Sequence, residues 1–184
     1  MSTDFSKRPP VNENFSEPTG LAFLDLDNDK LSDLVAVSSG FAEDDLLWHK
    51  NTGSGFDTKA NTVYGELGGG RNAFYGADID NDKDIDLVSA ESGTDDIKIW
   101  YNLEKGTKWT ATNDKNLNLN GDFNGATKLF VADFGTDGWL DIVGVADEDD
   151  DVSIWRQTSK GVFQSELYID NNLDGARAVY AGDF

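Results

Sequence analysis

The chain has 184 residues, with 35 acidic against 15 basic side chains, a formal charge of −20 and no cysteine. That balance excludes a basic nucleic-acid binder, and the missing thiols exclude disulfides, thiolate catalysis and cysteine-ligated zinc. No stretch approaches the roughly 20 apolar residues of a membrane-spanning helix, and Met1–Phe5 lacks the hydrophobic core of a signal peptide, while 38% hydrophobic and 11% aromatic residues suffice for a folded core.

In chain order, residues 1–19 read as an N-terminal segment and linker, within which Asn14-Phe15-Ser16 has the form of a glycosylation acceptor. The run Leu21-Ala22-Phe23-Leu24 predicts a first strand. It enters an acidic loop, Asp25-Leu26-Asp27-Asn28-Asp29-Lys30-Leu31-Ser32-Asp33, and Leu34-Val35-Ala36-Val37 predicts the strand that leaves it. A third strand ends at Trp48, and the polar turn Asn51–Phe56 follows. The same series then returns. Asp78-Ile79-Asp80-Asn81-Asp82-Lys83-Asp84-Ile85-Asp86 precedes Leu87-Val88-Ser89-Ala90, a strand ending at Trp100 and a turn at Glu104–Trp109. It returns again with Phe130-Val131-Ala132, then Asp133-Phe134-Gly135-Thr136-Asp137-Gly138-Trp139-Leu140-Asp141, the strand Ile142–Val145, Trp155 and a turn at Ser159–Phe163. Asp183-Phe184 stands where a fourth loop would begin, so the starts at 25, 78, 133 and 183 are 53, 55 and 50 residues apart.

None of the apolar runs holds a helical period for ten residues. The strands leaving the loops are almost continuously apolar, which predicts burial on both faces. A fourth, more polar run such as Val162–Tyr168 alternates, as an outer edge strand does. Four short antiparallel strands per repeat of about 50 residues predict an all-β array of about three propeller blades. A β-sandwich does not repeat a whole four-strand unit with a fixed loop, and the coils of a parallel β-solenoid are shorter than this period. The expected units are repeat 1 over 20–71, repeat 2 over 72–126, repeat 3 over 127–176 and the first strand of a truncated repeat 4 over 177–184, so the chain is expected to be a fragment of a larger propeller.

The loop spacing D-x-D-x-D-x-x-x-D suits a hard cation with six to eight oxygen ligands. Expected ligands are Asp25, Asp27, Asp29 and Asp33 in the first loop and Asp78, Asp80, Asp82 and Asp86 in the second. Asp133, Asp137 and Asp141 serve in the third, and position 7 (Leu31, Asp84 or Trp139) adds its backbone carbonyl. Gathering these carboxylates without a cation implies strong like-charge repulsion. Calcium suits such a cage better than the smaller, more rigid magnesium. Gly135 removes one carboxylate, so the third site is expected to be the weakest. These are not EF-hands, whose loops lie between helices and close with a glutamate at position 12. Lys30 and Lys83 occupy position 6, where the third loop has the more permissive Gly138.

The three acidic loops with their trailing Asp-Leu-Val or Asp-Ile-Val, and the tryptophan followed by an Asn/Gly-rich turn, resemble the VCBS or FG-GAP type of repeat found in integrin α-chain propellers and secreted bacterial proteins. The Phe-Gly and Gly-Ala-Pro segments of the FG-GAP name are not evident, so the VCBS flavour fits better. The resemblance covers about residues 20 to 184. It implies a β-propeller with structural calcium, an extracellular or cell-surface setting, and a role in adhesion, in recognising a protein or glycan ligand, or as an accessory to an extracellular enzyme. It does not imply catalysis.

A catalytic reading has little to stand on. The conspicuous aspartates repeat, where catalytic residues would occur once, and the single histidine, His49, reads as a strand-end surface group. Gly68-Gly69-Gly70-Arg71 lacks the Lys-Ser/Thr ending of a phosphate loop and reads as an inter-blade turn. For a carbohydrate-binding alternative, Trp48, Trp100 and Trp155 read as packing residues, whereas Trp109, Trp139 and Tyr101 remain as platforms.

Overall fold

The computed structural model describes residues 11, 15, 17–39, 46–65, 67, 70–111 and 123–182. Asn14, Asp44, Asp45, Gly68, Gly69, Asp183 and Phe184 lie outside the described residues, and with them the glycosylation motif, part of the glycine turn and the start of a fourth loop.

The fold is all-β. Strands β1 (Pro18–Leu24), β2 (Asp33–Ser38), β3 (Leu46–His49) and β4 (Asn61–Tyr64) form one antiparallel sheet in sequence order. Strands β5 (Ala73–Ala77), β6 (Asp86–Glu91), β7 (Asp96–Asn102) and β8 (Trp109–Ala111) form the second in the same way. In the third, β9 (Ala126–Ala132), β10 (Asp141–Ala146) and β11 (Asp151–Trp155) are followed by a small hairpin, β12 (Gln157–Ser159) and β13 (Val162–Phe163), before β14 (Leu167–Asp170) closes the edge. The polar run at 162–168 is therefore not one strand. Phe163 is buried in the hairpin, pairing with Gln157, while Leu167 and Tyr168 pair with Ile154 and Ser153.

The first strand of each sheet lies beside that of the next, β1 near β5 and β5 near β9, as inner strands around a common axis do. Sheets stacked face to face must cover both sides of their middle strands, and every residue of β6 and β10 is buried. Val35, Val37, Leu46 and Trp48 of the first sheet pack against Leu87 and Trp100 of the second. Val88, Ala90, Ile97 and Ile99 of the second pack against Leu129, Val131, Ile142 and Trp155. The repeated tryptophans are thus core residues, and Trp48 also donates its Nε1 hydrogen to the Gly106 carbonyl of the next unit at 3.3 Å. Gly106 has φ of 78°, and a Cβ there would lie 2.6 Å from the Trp48 ring, so the turn requires glycine on both counts.

His49 is buried rather than a surface group: it is 1% exposed, its Nδ1 is 2.8 Å from the Asp57 carbonyl, and its Nε2 has no partner. The end of β3 is covered by the turn that folds back over it, which a single sequence position beside a tryptophan does not reveal.

Candidate metal centre

Each acidic loop connects the first two strands of its sheet, and the same hydrogen bonds build it three times. The carboxylate at position 1 accepts the backbone N–H groups of positions 5 and 6: Asp25 from Asp29 and Lys30, Asp78 from Asp82 and Lys83, Asp133 from Asp137 and Gly138, all between 2.9 and 3.1 Å. Position 5 accepts from position 7, as Asp29 from Leu31, Asp82 from Asp84 and Asp137 from Trp139. Position 9 reaches inward. Asp33 accepts from Leu26 and Asn51, Asp86 from Ile79 and Asn102, and Asp141 from Phe134 and Gln157.

This closure forces positions 4 and 6 into the left-handed region, with φ of 60° and 73° at Asn28 and Lys30, 61° and 80° at Asn81 and Lys83, and 55° and 89° at Thr136 and Gly138. The two lysines accept a conformation better suited to glycine, and so does the β-branched Thr136. The position-4 asparagines tolerate it and also link the loops, since Asn28 Nδ2 donates to Asp84 Oδ1 at 2.5 Å and Asn81 Nδ2 to the Gly138 carbonyl at 3.3 Å. The Asp84 carboxylate is thereby turned to the neighbouring loop.

Two sets of carboxylate oxygens converge to within 4.8 Å of one another, Asp25 with Asp27 and Asp29, and Asp78 with Asp80 and Asp86. Among the described residues, Asp133, Asp137 and Asp141 form no third set. In the first loop the Lys50 ammonium bridges Asp27 and Asp29, holding the Asp29 carboxyl below its ordinary range. In the second, Lys160 of the third repeat is 3.0 Å from Asp80 Oδ2, while Asp80 Oδ1 is buried with no partner. Burial, reinforced by the charges of Asp80 and Asp82, pushes the Asp86 carboxyl up to about 7 against two stabilising backbone hydrogen bonds. Burial likewise raises Asp33 and Asp141.

The second loop therefore combines an orphaned carboxylate oxygen, a carboxyl resisting ionisation and a third carboxylate nearby. That donor set fits a hard divalent cation, which would satisfy the first and relieve the second. Tyr101, one of the platforms named from the sequence, stands beside this loop. It is half-buried, with an unpartnered hydroxyl raised to about 12 by burial and by the charges of Asp86 and Asp80. Trp109 is half-buried and donates its own Nε1 hydrogen to Gly106 at 3.0 Å, so it is a packing residue too. Trp139 is half-buried.

Sequence reasoning does not reveal the buried amide two residues after Trp100 and after Trp155. Asn102 Nδ2 donates to the Leu26 carbonyl at 2.9 Å and Gln157 Nε2 to the Ile79 carbonyl at 3.0 Å, each clamping the second residue of the preceding loop. The geometry is thus a chain of loops, each tied to the next at its buried base and at its exposed tip.

The sequence pattern of the FG-GAP-like repeat matches residues 25–89 and again 78–144, more than half of the chain. The chain belongs to the FG-GAP-like repeat family. No curated protein matches it. Among solved structures, it is similar to an Agrocybe aegerita lectin described as recognising non-reducing terminal N-acetylglucosamine, with 19% identity and a TM-score of 0.56. That match covers 85% of this chain and 39% of the lectin. A Photorhabdus luminescens Tc holotoxin pore is similar at 20% identity and a TM-score of 0.47, over 85% of this chain and 7% of the toxin chain. At these identities the lectin supports the fold, three blade-like sheets of the propeller type, and this FG-GAP-like chain spans well under half of its length.

Proposed function

We propose that the chain is a non-catalytic recognition module, a run of calcium-stabilised VCBS-like blades that works with further blades in an extracellular or cell-surface propeller. The observation that carries the calcium part is Asp80 Oδ1, a buried carboxylate oxygen without a partner inside a cluster with Asp78 and Asp86. Leaving such an oxygen unsatisfied costs about 1–3 kcal/mol or more, which a bound cation would offset. Extracellular calcium modules in general work with affinities around 10⁻⁴–10⁻³ M, which suits a structural ion in that setting.

Melting in calcium and then in excess chelator tests the reading. With calcium at about 100 times Kd the expected gain is about 2.7 kcal/mol, or roughly 5–10 °C. Asp80→Ala should remove most of the second-loop share, whereas Asn81→Ala should not. No calcium shift in the parent chain overturns the metal assignment.

The recognition role is favoured over adhesion to a protein by one observation, the likeness in fold to a glycan-recognising lectin. A glycan array separates the two, and turnover on any polysaccharide would overturn the non-catalytic reading.

A further inference from the structure

The acidic loops occupy the C-terminal ends of the inner strands. The opposite ends carry a different chemistry. There, a cavity of about 400 Å³ is lined by Thr19, Arg71, Asn72, Thr127, Lys128 and Arg177. Three cations and no carboxylate line it, in a chain with more than two acids for every base. Its position follows from the repeat: Thr19, Asn72, Thr127 and Arg177 each stand six residues before the first aspartate of a loop start, at 25, 78, 133 and 183. They are equivalent positions on successive units, and the cavity sits among the first strands that adjoin one another, β1, β5 and β9.

The arginines are held in place. Asp147 Oδ2 pairs with Arg71 Nη1 and lies 3.5 Å from Arg177 Nε, so one oxygen gathers two guanidinium groups. Asp147 itself is fixed by its backbone N–H donating to the Gly125 carbonyl at 3.1 Å. Its carboxylate belongs to a second, adjoining cavity of about 500 Å³, whose lining adds Gly70, Ser92, Asp147 and Glu148 and shares Arg71, Thr127 and Arg177 with the first. The two arginines thus form a wall with acids on one side and Lys128 on the other. Their side chains are 60% and 66% exposed, and each guanidinium has five N–H donors, most of them left over by a single shared acceptor.

We propose that this axial cavity is an oxyanion-recognition site, taking the carboxylate or sulfate of a small acidic saccharide. Arg71 and Arg177 supply planar paired donors and Lys128 a point charge. The volume falls within the range of small-ligand sites, about 300–1,000 Å³. The net negative charge of the chain does not oppose this at physiological salt, because a Debye length of about 8 Å screens distant aspartates while the cations lining the cavity act at contact range.

The assignment deepens the recognition reading and rests on it. Titration calorimetry in calcium uses glucuronate, inorganic sulfate and glucose as probes. Glucuronate is expected to bind, glucose not, and the triple variant Arg71→Gln, Arg177→Gln, Lys128→Gln to weaken glucuronate at least tenfold. Lys108→Gln, at an exposed pair with Glu104 away from the cavity, should leave it unchanged. Sulfate binding as tightly as glucuronate supports recognition of the oxyanion alone. An unaltered melting temperature in the triple variant separates lost binding from lost folding; where it falls, Lys128→Gln alone, with an expected loss of threefold or more, decides. Glucose binding equal to glucuronate, no binding of either anion, or an unchanged Kd in the variants overturns the proposal. A neutral glycan held equally by parent and triple variant on an array would sink this site while leaving the recognition reading standing.

Discussion

In the second acidic turn Asp80 stands third and leaves a buried oxygen unpartnered; in the third turn Gly135 stands there, and a Cβ added to it would lie 3.6 Å from the Arg156 guanidinium. Around that one difference the two turns are built alike. Positions 1, 5 and 9 accept the same backbone hydrogens in both, and positions 4 and 6 are left-handed in both. The comparison separates two roles that the spacing merges. Aspartates at 1, 5 and 9 recur because the turn needs acceptors for N–H groups that no strand satisfies. The position-3 carboxylate is dispensable for the turn and is the one on which the proposed cation site depends. Like-charge repulsion is a weaker argument for metal than it first looks, because each loop also brings backbone donors and a basic side chain to its carboxylates, Lys50, Lys160 or Arg156.

The shared half of the comparison breaks most visibly at position 9. Asp86→Ala orphans the backbone N–H groups of Ile79 and Asn102 and should cost about 3 kcal/mol, or roughly 6–12 °C of melting temperature, even in chelator, whereas Asp141→Ala orphans that of Gln157 while Phe134 keeps the Ala132 carbonyl at 3.1 Å, and should cost about half as much. A loss in both turns, larger at Asp86, is expected. A loss at Asp86 alone would mean that the third turn does not depend on this network.

The pH response should distinguish the turns by a smaller margin. Asp86 in the metal-free fold is raised from 3.8 to about 7, so between those values the native state holds a proton that the unfolded chain has released. Its contribution is therefore full below about pH 4 and is lost as pH rises to about 7, a fall of about 2 kcal/mol after discounting for residual screening. Asp33, Glu91, Asp141 and Asp151 shift the same way and add a background slope. The measurement is thus the difference between the parent and Asp86→Asn, followed by thermal melting from pH 4 to 8 in chelator. Calcium, which favours the ionised carboxylate, should remove that difference. A parent and variant with parallel profiles would show that Asp86 ionises normally.

The architecture was legible because it was written several times over. A loop, a strand and a tryptophan recurring together identify a blade in a way no single apolar run does, and the buried faces of β6 and β10 follow from their unbroken apolar character. What stayed hidden is what depends on contacts between repeats. Nothing local distinguishes Asn102 or Gln157 from any polar residue after a strand, yet each clamps a carbonyl more than seventy residues earlier. His49 reads as a surface group for the same reason, since its burial comes from a returning turn. The break between β13 and β14 was concealed because alternation cannot show where a strand leaves its hairpin to join the sheet edge.

The difference between the turns is sharpened by trying to erase it. Gly135 has no left-handed φ, and a Cβ there would meet Asp137 at 3.4 Å, an ordinary contact, so an aspartate is compatible with the backbone. The obstacle is Arg156, which already supplies positive charge there. Gly135→Asp with Arg156→Gln should therefore create a calcium-dependent gain in the third turn. With calcium at about ten times Kd this is about 1.4 kcal/mol, roughly 3–6 °C, measured with the first two turns disabled by Asp27→Ala and Asp80→Ala. Arg156→Gln alone should give none, because removing a cation without supplying the third carboxylate leaves only the oxygens that the backbone already uses. If Arg156→Gln by itself brings calcium stabilisation, the arginine and not the missing aspartate is what sets the third turn apart.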